Sequence, residues 1–483
     1  MIGAACMHPK TTLKFVNDIS VVVPDSLNLI TTYVLREQGD WFEDEIKFVR
    51  LLLKPNQKAI DIGANYGLFT LSMAKIVGPG GRIWAFEPAS STAALLSESL
   101  AINEFSHVVL DRRALSEHAG TAQLSLNNNS ELNELVRDGA SAEASETVTL
   151  VSLDDAMQEH GWSGIEFVKI DAEGEEAAII RGGKKFFQTQ SPLVQYEVKA
   201  GQTVHLELVQ AFVDLGYESY RLVPGLGALV PFDPREEVDD YLLNLFCCKP
   251  DRAGKMAAEG QLVLADEVQA AVHTQRVDDL LQGHETGPAY GWQNSLTRLP
   301  YGKILVGKWH QTVSRGQSGE VEKALALHAM AHAKELPITE RFLALRISLE
   351  ILTSVCNAQP EFLRLASLAR VAREFGARMV AVRALDNLFQ LAVKYQQVNL
   401  SEPFLASSER FDSLDPKEAI GNWVVCSTLE ELERSASFSS FYTGQAARQR
   451  LEAIRNLGFG SPEMARRLAL VEQRFLASPK ANT

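Results

Sequence analysis

Cysteine is scarce. There are five in 483 residues, at Cys6, Cys247, Cys248, Cys356 and Cys426. No C-x-x-C pair occurs and the number is odd, which argues against a disulfide framework or a cysteine-built zinc site and for free thiols. A surplus of positive charge is also missing. Lys and Arg total 47 against 61 Asp and Glu, a net charge of −14. Without a dense basic run to neutralise phosphates, nucleic acid is not an expected partner. No stretch approaches the roughly 18 apolar residues of a membrane-spanning helix. Residues 1–10 lack a basic segment followed by an apolar one, so no secretory signal is expected and the compartment reads as cytoplasmic. What is present is ordinary globular material. With 46% hydrophobic and 22% charged residues, the chain has enough apolar content for real cores and a length suited to two or three domains.

Two patterns share the chain. Up to about residue 250, short β-rich runs (58–62, 82–87, 107–110, 165–171, 193–198, 217–222 and 241–248) alternate with helical stretches (67–77, 90–103, 173–187 and 204–215). That alternation predicts an α/β fold, a parallel-rich sheet with helices on both faces. The last two runs are joined by a Pro/Gly-punctuated loop and predict an antiparallel hairpin closing the sheet. β-Branched runs within 11–35 suggest a small hairpin lid. Beyond 249–260 the grammar is helical, at 320–335, 341–355, 361–375, 379–395, 416–434, 446–457 and 463–476, with 283–302 as an irregular bridge. Paired helices with short joints suggest a TPR-like array or an irregular helical domain. The expected organisation is an N-terminal segment over 1–40, an α/β domain over 41–250 and an all-α domain over 256–483.

Within the first domain, Asp61-Ile62-Gly63-Ala64-Asn65-Tyr66-Gly67 joins an apolar strand to a helix. Gly63 and Gly67 allow positive φ and close approach of the backbone to a ligand. A dinucleotide fingerprint would place glycine at 65 and 68, where this chain has Asn65 and Leu68, which disfavours a nicotinamide oxidoreductase. The carboxylate of Asp61 would repel a pyrophosphate and suits a cation, such as a ligand carrying an ammonium and a sulfonium. Glu87, at the tip of the next strand, is placed to accept hydrogen bonds from ribose hydroxyls. Together these residues describe a nucleoside-binding crevice at the carboxyl ends of a parallel sheet.

A second acidic cluster, Lys169-Ile170-Asp171-Ala172-Glu173-Gly174-Glu175-Glu176, ends another strand and opens a helix. The helix dipole accounts for Glu175 and Glu176. It does not account for Lys169 and Asp171, which share one strand face. Asp171 and Glu173 are the candidate general bases, followed by Glu197 at the end of the next strand. Crowding among these acids can raise one pKa toward a useful range. Two of them holding a divalent cation is the weaker alternative, and no metal is expected. His107, His118, His160 and His205 read as ordinary surface or core histidines.

The series Asp61 to Gly67, Phe86-Glu87-Pro88, Ser152-Leu153-Asp154-Asp155, Lys169 to Gly174 and Gln195-Tyr196-Glu197 resembles the FkbM-type family of S-adenosylmethionine-dependent methyltransferases over roughly residues 40–200. The resemblance implies a Rossmann-like class I methyltransferase sheet and S-adenosylmethionine as cofactor. By it, Asp61, Gly63, Asn65 and Gly67 line the methionine end, Glu87 holds the ribose, and adenine lies near Arg113, Ala114 and Leu115. Glu43 matches a family acid upstream of the first strand, and Glu197 a strand-end glutamate. The family's histidine after the K-I-D-x-E-G run is replaced here by Glu175. Members O-methylate hydroxyls of sugars or polyketide-like small molecules, so a small-molecule or glycan acceptor is implied. The helical domain is left to select a carrier, to form a homo-oligomer or to bind a protein partner. The competing reading makes it an interaction scaffold attached to a cofactor-binding but inactive methyltransferase domain.

Overall fold

Two short runs, Lys58–Ile62 (β3) and Phe167–Ile170 (β9), are almost wholly buried, each with one charged residue, Asp61 or Lys169, among its apolar ones, as strands covered on both faces are. They pair in parallel at the centre of a sheet. The computed structural model describes residues 9–127, 133–135, 144–200, 203–274, 290–316, 318–360 and 363–476. The chain forms two compact units, each drawing on more than one stretch of sequence. The first comprises Met1–Leu222, Pro231–Val238 and Leu242–Glu259; the second comprises Val223–Val230, Asp239–Tyr241 and Gly260–Thr483.

In the first unit, a hairpin of β1 (Lys10–Phe15) and β2 (Ile19–Pro24) leads into helices α1 (Ile30–Gln38) and α2 (Asp44–Leu52). Strand β3 is followed by α3 (Leu68–Val77), β4 (Arg82–Phe86), α4 (Ser90–Ile102) and β5 (Val108–Asp111). Three further strands, β6 (Ala114–Ser116), β7 (Gly120–Ser125) and β8 (Ser145–Ser152), make a separate small sheet in the order β6-β8-β7. Helix α5 (Leu153–His160), strand β9, helices α6 (Glu176–Gly182) and α7 (Lys184–Thr189) and strand β10 (Leu193–Glu197) continue the main layer. Two short strands, β11 (Lys199–Ala200) and β12 (Thr203–Val204), precede α8 (Glu207–Val213), β13 (Glu218–Val223) and β15 (Asn244–Cys248), while β14 (Ala228–Pro231) belongs almost wholly to the second unit. The main sheet runs β13-β15-β10-β9-β3-β4-β5. Its pairs from β10 to β5 are parallel. Strand β15 is antiparallel to both neighbours, so the expected closing hairpin is present. The register sets Asp61, Lys169 and Gln195 side by side in one row, and it brings the carboxyl ends of β3, β4, β9 and β10 to one rim.

Several expectations are corrected. Residues 31–34 are helical, inside α1, where Thr32, Tyr33 and Val34 are wholly buried; packing overrides their β propensity. The hairpin before them is part of the core. Val21 and Val23 are inaccessible, and the backbone N–H groups of Ser20 and Val22 donate to Asn103 and Ser99 of the α4 region. The single helix expected at 173–187 is two helices. Around Gly182 and Gly183 there is no room for a side chain: a Cβ at Gly182 would lie 2.4 Å from the Ser116 carbonyl oxygen. Four cysteines, Cys247, Cys248, Cys356 and Cys426, are buried free thiols, while Cys6 lies outside the described residues.

The second unit is helical. Its helices include α9 (Ala265–Thr274), α10 (Trp292–Leu296), α11 (Pro300–Val313), α12 (Gly319–Ala331), α13 (Ile338–Ala358), α14 (Arg364–Phe375), α15 (Arg378–Tyr395), α16 (Ile420–Ala436), α17 (Arg448–Leu457) and α18 (Pro462–Leu476). Helices α12 to α16 each pack on the next in sequence. A buried aromatic group of Tyr301, Trp309, Phe404 and Trp423 joins distant segments. The bridge expected to be irregular holds α10 and the start of α11, where Pro300 is pre-set for a first helical turn. The rest of that bridge, residues 361–362 and most of the 127–145 loop fall outside the described residues. No helix among the described residues is long and apolar enough to cross a membrane.

Candidate active site

Strand β3 ends at the tightest point of the first unit. Gly63 has φ +76°, and a Cβ there would lie 1.7 Å from the backbone oxygen of Asp171. The β3–α3 turn therefore rests directly on the β9–α6 turn, and only glycine permits that contact. Asn65 and Gly67 also take positive φ, 49° and 91°. Gly67 is the N-cap residue of α3. The cavity these turns border is lined by Asp61, Gly63, Asn65, Gly67, Glu87, Arg113, Ala114, Lys169, Asp171, Glu173 and Glu43, among others. All eight residues expected to hold the cofactor are on its wall.

Asp61 is wholly buried. Its Oδ2 accepts a 2.5 Å hydrogen bond from the Thr70 hydroxyl, whereas Oδ1, equally buried, has no partner among the described residues. Burial raises the carboxyl above its usual range, opposed by the neighbouring Lys169 ammonium. Glu87 accepts N–H bonds from Asn65 (2.8 Å) and Ala89 (2.9 Å). It thereby fixes the turn opposite while still facing the cavity. Burial pushes its pKa up to about 7, against the pull of those two N–H groups. Arg113 is held by Asp111 and Glu159, at 2.7 Å each.

The acids expected to be catalytic meet across two strand ends, those of β9 and β10. Lys169, buried under the Phe69 ring at 4.9 Å, donates to Asp171 Oδ2 at 2.7 Å. Burial pulls the Lys169 pKa down, but the carboxylates of Asp171, Asp61 and Glu43 outweigh it and hold the ammonium charged. Carboxylate oxygens of Asp171, Glu173 and Glu197 lie within 4.8 Å of one another. Burial, then repulsion from Asp171 and Glu173, raises the Glu197 carboxyl well above its usual range. Glu43 accepts from Trp41 Nε1 at 2.9 Å and Asn244 Nδ2 at 3.1 Å, and burial raises its pKa. Glu176 serves the fold, since its two oxygens accept the N–H groups of Ala172 and Gly174 and so close the β9–α6 turn. Glu175 receives the Ser116 hydroxyl at 3.0 Å.

Sequence reasoning missed Trp41, which lines the cavity and steers Glu43, although its place two residues upstream was a usable signal. It also missed Gln195 as a buried polar group. This side chain is inaccessible, beside Lys169 in the sheet, with neither amide atom bonded among the described residues. Nothing in a strand-interior glutamine marks that environment in advance.

Comparison with known proteins places this crevice in a family. Residues 61–219 match the family model described as the methyltransferase FkbM domain. Among solved structures, methyltransferase FkbM from Methylobacillus flagellatus is 17% identical with a TM-score of 0.29, the match covering 41% of this chain and 45% of that one. This chain therefore spans under half the length of that relative. A S-adenosylmethionine-dependent O-methyltransferase from Thermotoga maritima is 15% identical (TM-score 0.24; 50% and 78% covered). Fibrillarin from Aeropyrum pernix, with natively bound S-adenosylmethionine, is 12% identical (TM-score 0.27; 51% and 85% covered). No curated protein sequence matches the chain. The stretch from the Asp61 turn to the start of β13 is a methyltransferase domain of the FkbM family.

Proposed function

We propose that the protein is an S-adenosylmethionine-dependent O-methyltransferase acting on a hydroxyl of a sugar, glycan or polyketide-like small molecule. The observation that carries this reading is Asp61, a residue of the cavity lining whose buried Oδ1 has no partner among the described residues. Leaving such an acceptor unmatched costs about 1–3 kcal/mol or more, and an ammonium group of a ligand satisfies it. The residues present thus fit the cofactor: Asp61 for the amino-acid end, the Gly63–Asn65–Gly67 backbone beside it, Glu87 for the ribose, Arg113 and Ala114 toward the base. Bound there, the cofactor supplies a methyl group already activated by a sulfonium.

The chain's own contribution is to position the acceptor and take its proton. Asp171 and Glu173 are the bases of choice, because burial and the neighbouring carboxylates raise Glu197 furthest from the usual carboxylate range. Lys169 fixes Asp171 from below the rim. Calorimetry with S-adenosylmethionine, followed by a labelled-methyl screen of cell-envelope glycans and nucleotide sugars, tests the reading. Absence of cofactor binding defeats it. Binding without transfer to any acceptor favours an inactive domain on a helical scaffold.

A further inference from the structure

Two histidines in the helical unit converge on one carboxylate oxygen. His328 lies in the last turn of α12 and His332 is that helix's C-cap. Their Nε2 atoms stand 2.8 Å and 3.0 Å from Oε2 of Glu374, which is the second-last residue of α14. We propose that His328, His332 and Glu374 form a binding site for a divalent transition metal, of the imidazole-preferring kind represented by zinc.

The donor set carries the first part of the argument. Two imidazoles and a carboxylate match zinc, nickel or cobalt, whereas magnesium and calcium require oxygen ligands. The spacing carries the second. Ligands at about 2.0–2.1 Å from a tetrahedral metal are roughly 3.3 Å from each other, so each nitrogen, at 2.8 Å and 3.0 Å from the oxygen, has only a few tenths of an ångström to open. The surroundings carry the third. Both α12 and α14 end at this point, so the negative ends of two helix dipoles face the same place and favour a cation. The other oxygen of Glu374 pairs with Arg370, a contact that fixes the carboxylate's orientation as outer partners do at metal sites. His332 is 38% exposed, leaving an approach from solvent and space for water ligands. On binding, each ring presents its Nε2 lone pair with its proton on Nδ1, and metal–ligand bonds replace the two hydrogen bonds to Oε2.

The test uses the full-length protein without a histidine tag, stripped by a chelator and titrated calorimetrically with zinc chloride and separately with magnesium chloride. One zinc per chain at micromolar Kd or tighter, with no heat from magnesium, is the expected result, together with a zinc-dependent rise in thermal midpoint. His332→Ala removes a partly exposed side chain and weakens zinc binding by roughly 100-fold. Glu374→Gln, which keeps an oxygen toward the rings, weakens it by roughly tenfold or more. Should His332→Ala fail to fold, Glu374→Gln decides. Absence of one-to-one zinc binding, or equal binding by the variants, overturns the proposal and leaves Glu374 as the acceptor of two hydrogen bonds only.

Discussion

Asp61 and Glu87 are both buried acids of one crevice, yet they solve burial differently, and each difference is measurable. Asp61 keeps one oxygen bonded to Thr70 and the other unmatched among the described residues. Asp61→Asn retains the Thr70 contact through its carbonyl and removes the charge. S-Adenosylmethionine affinity is expected to fall about 10–100-fold, the worth of a charge-assisted bond of about 1.5–3 kcal/mol, while the thermal midpoint stays close to wild type. Unchanged affinity by calorimetry would remove Asp61 from the site. Glu87 is satisfied by two N–H groups, and burial still raises its pKa from 4.5 to about 7. Between those values the folded chain keeps a proton that the unfolded chain has lost. Stability from this group is therefore full below about pH 4.5 and disappears as pH rises through about 7, a change on the order of 3 kcal/mol. Urea unfolding of wild type and Glu87→Gln at about pH 5 and pH 8 checks this. The wild type should lose stability relative to the variant at the higher pH, and parallel behaviour refutes it. These two acids were legible because each ends an apolar strand before a turn. Gln195 was not, since its importance comes from a neighbour in space, Lys169, whereas Trp41 had a signal in its place two residues before Glu43.

At the scale of elements, the site exists because two strand-to-helix turns touch. Gly63 and Gly174 both have positive φ, but only Gly63 has the Asp171 carbonyl in the space a Cβ would take; around Gly174 no atom of the described residues lies within 4 Å of that position. Gly174→Ala is expected to cost about 1–2 kcal/mol, the penalty of a left-handed alanine. Gly63→Ala must push two backbones apart and belongs with the rare changes above about 4 kcal/mol. Denaturant unfolding of the two variants should show that order clearly, and comparable losses would mean the turns are not in contact. The parallel strands, their following helices and the closing hairpin were readable because apolar runs and turn residues alternate without ambiguity. Three features were not. The 31–34 run is β-branched yet helical because burial of Thr32, Tyr33 and Val34 outweighs local preference. The break between α6 and α7 depends on Ser116 and Leu153 occupying the space beside Gly182 and Gly183. The small β6-β8-β7 sheet pairs segments whose own patterns are too short or too polar to declare themselves.

For the whole molecule, the path of the chain matters more than its length. Residues 223–230 precede the sequence boundary near 250, yet they count with the helical unit. Val223, Leu226, Ala228 and Val230 are buried in the same cluster as Val263, Trp292 and Tyr301. Gly225 fixes the segment there: its N–H donates to the Glu374 carbonyl at 2.8 Å, and a Cβ would strike the Glu374 side chain at 2.5 Å. A fragment beginning at 256 lacks this segment. Burying each valine or leucine is worth about 1.5–3 kcal/mol, so losing Val223, Leu226 and Val230 removes roughly 5–9 kcal/mol. That equals much of the roughly 5–15 kcal/mol by which a typical domain is stable. Fragment 256–483 is therefore expected to aggregate or to unfold without a cooperative transition, whereas fragment 223–483 should melt cooperatively by circular dichroism. If 256–483 alone melts as sharply and at the same temperature as 223–483, the segment is dispensable. The helical half would then be a domain bounded where its composition changes, with its core complete without residues 223–230.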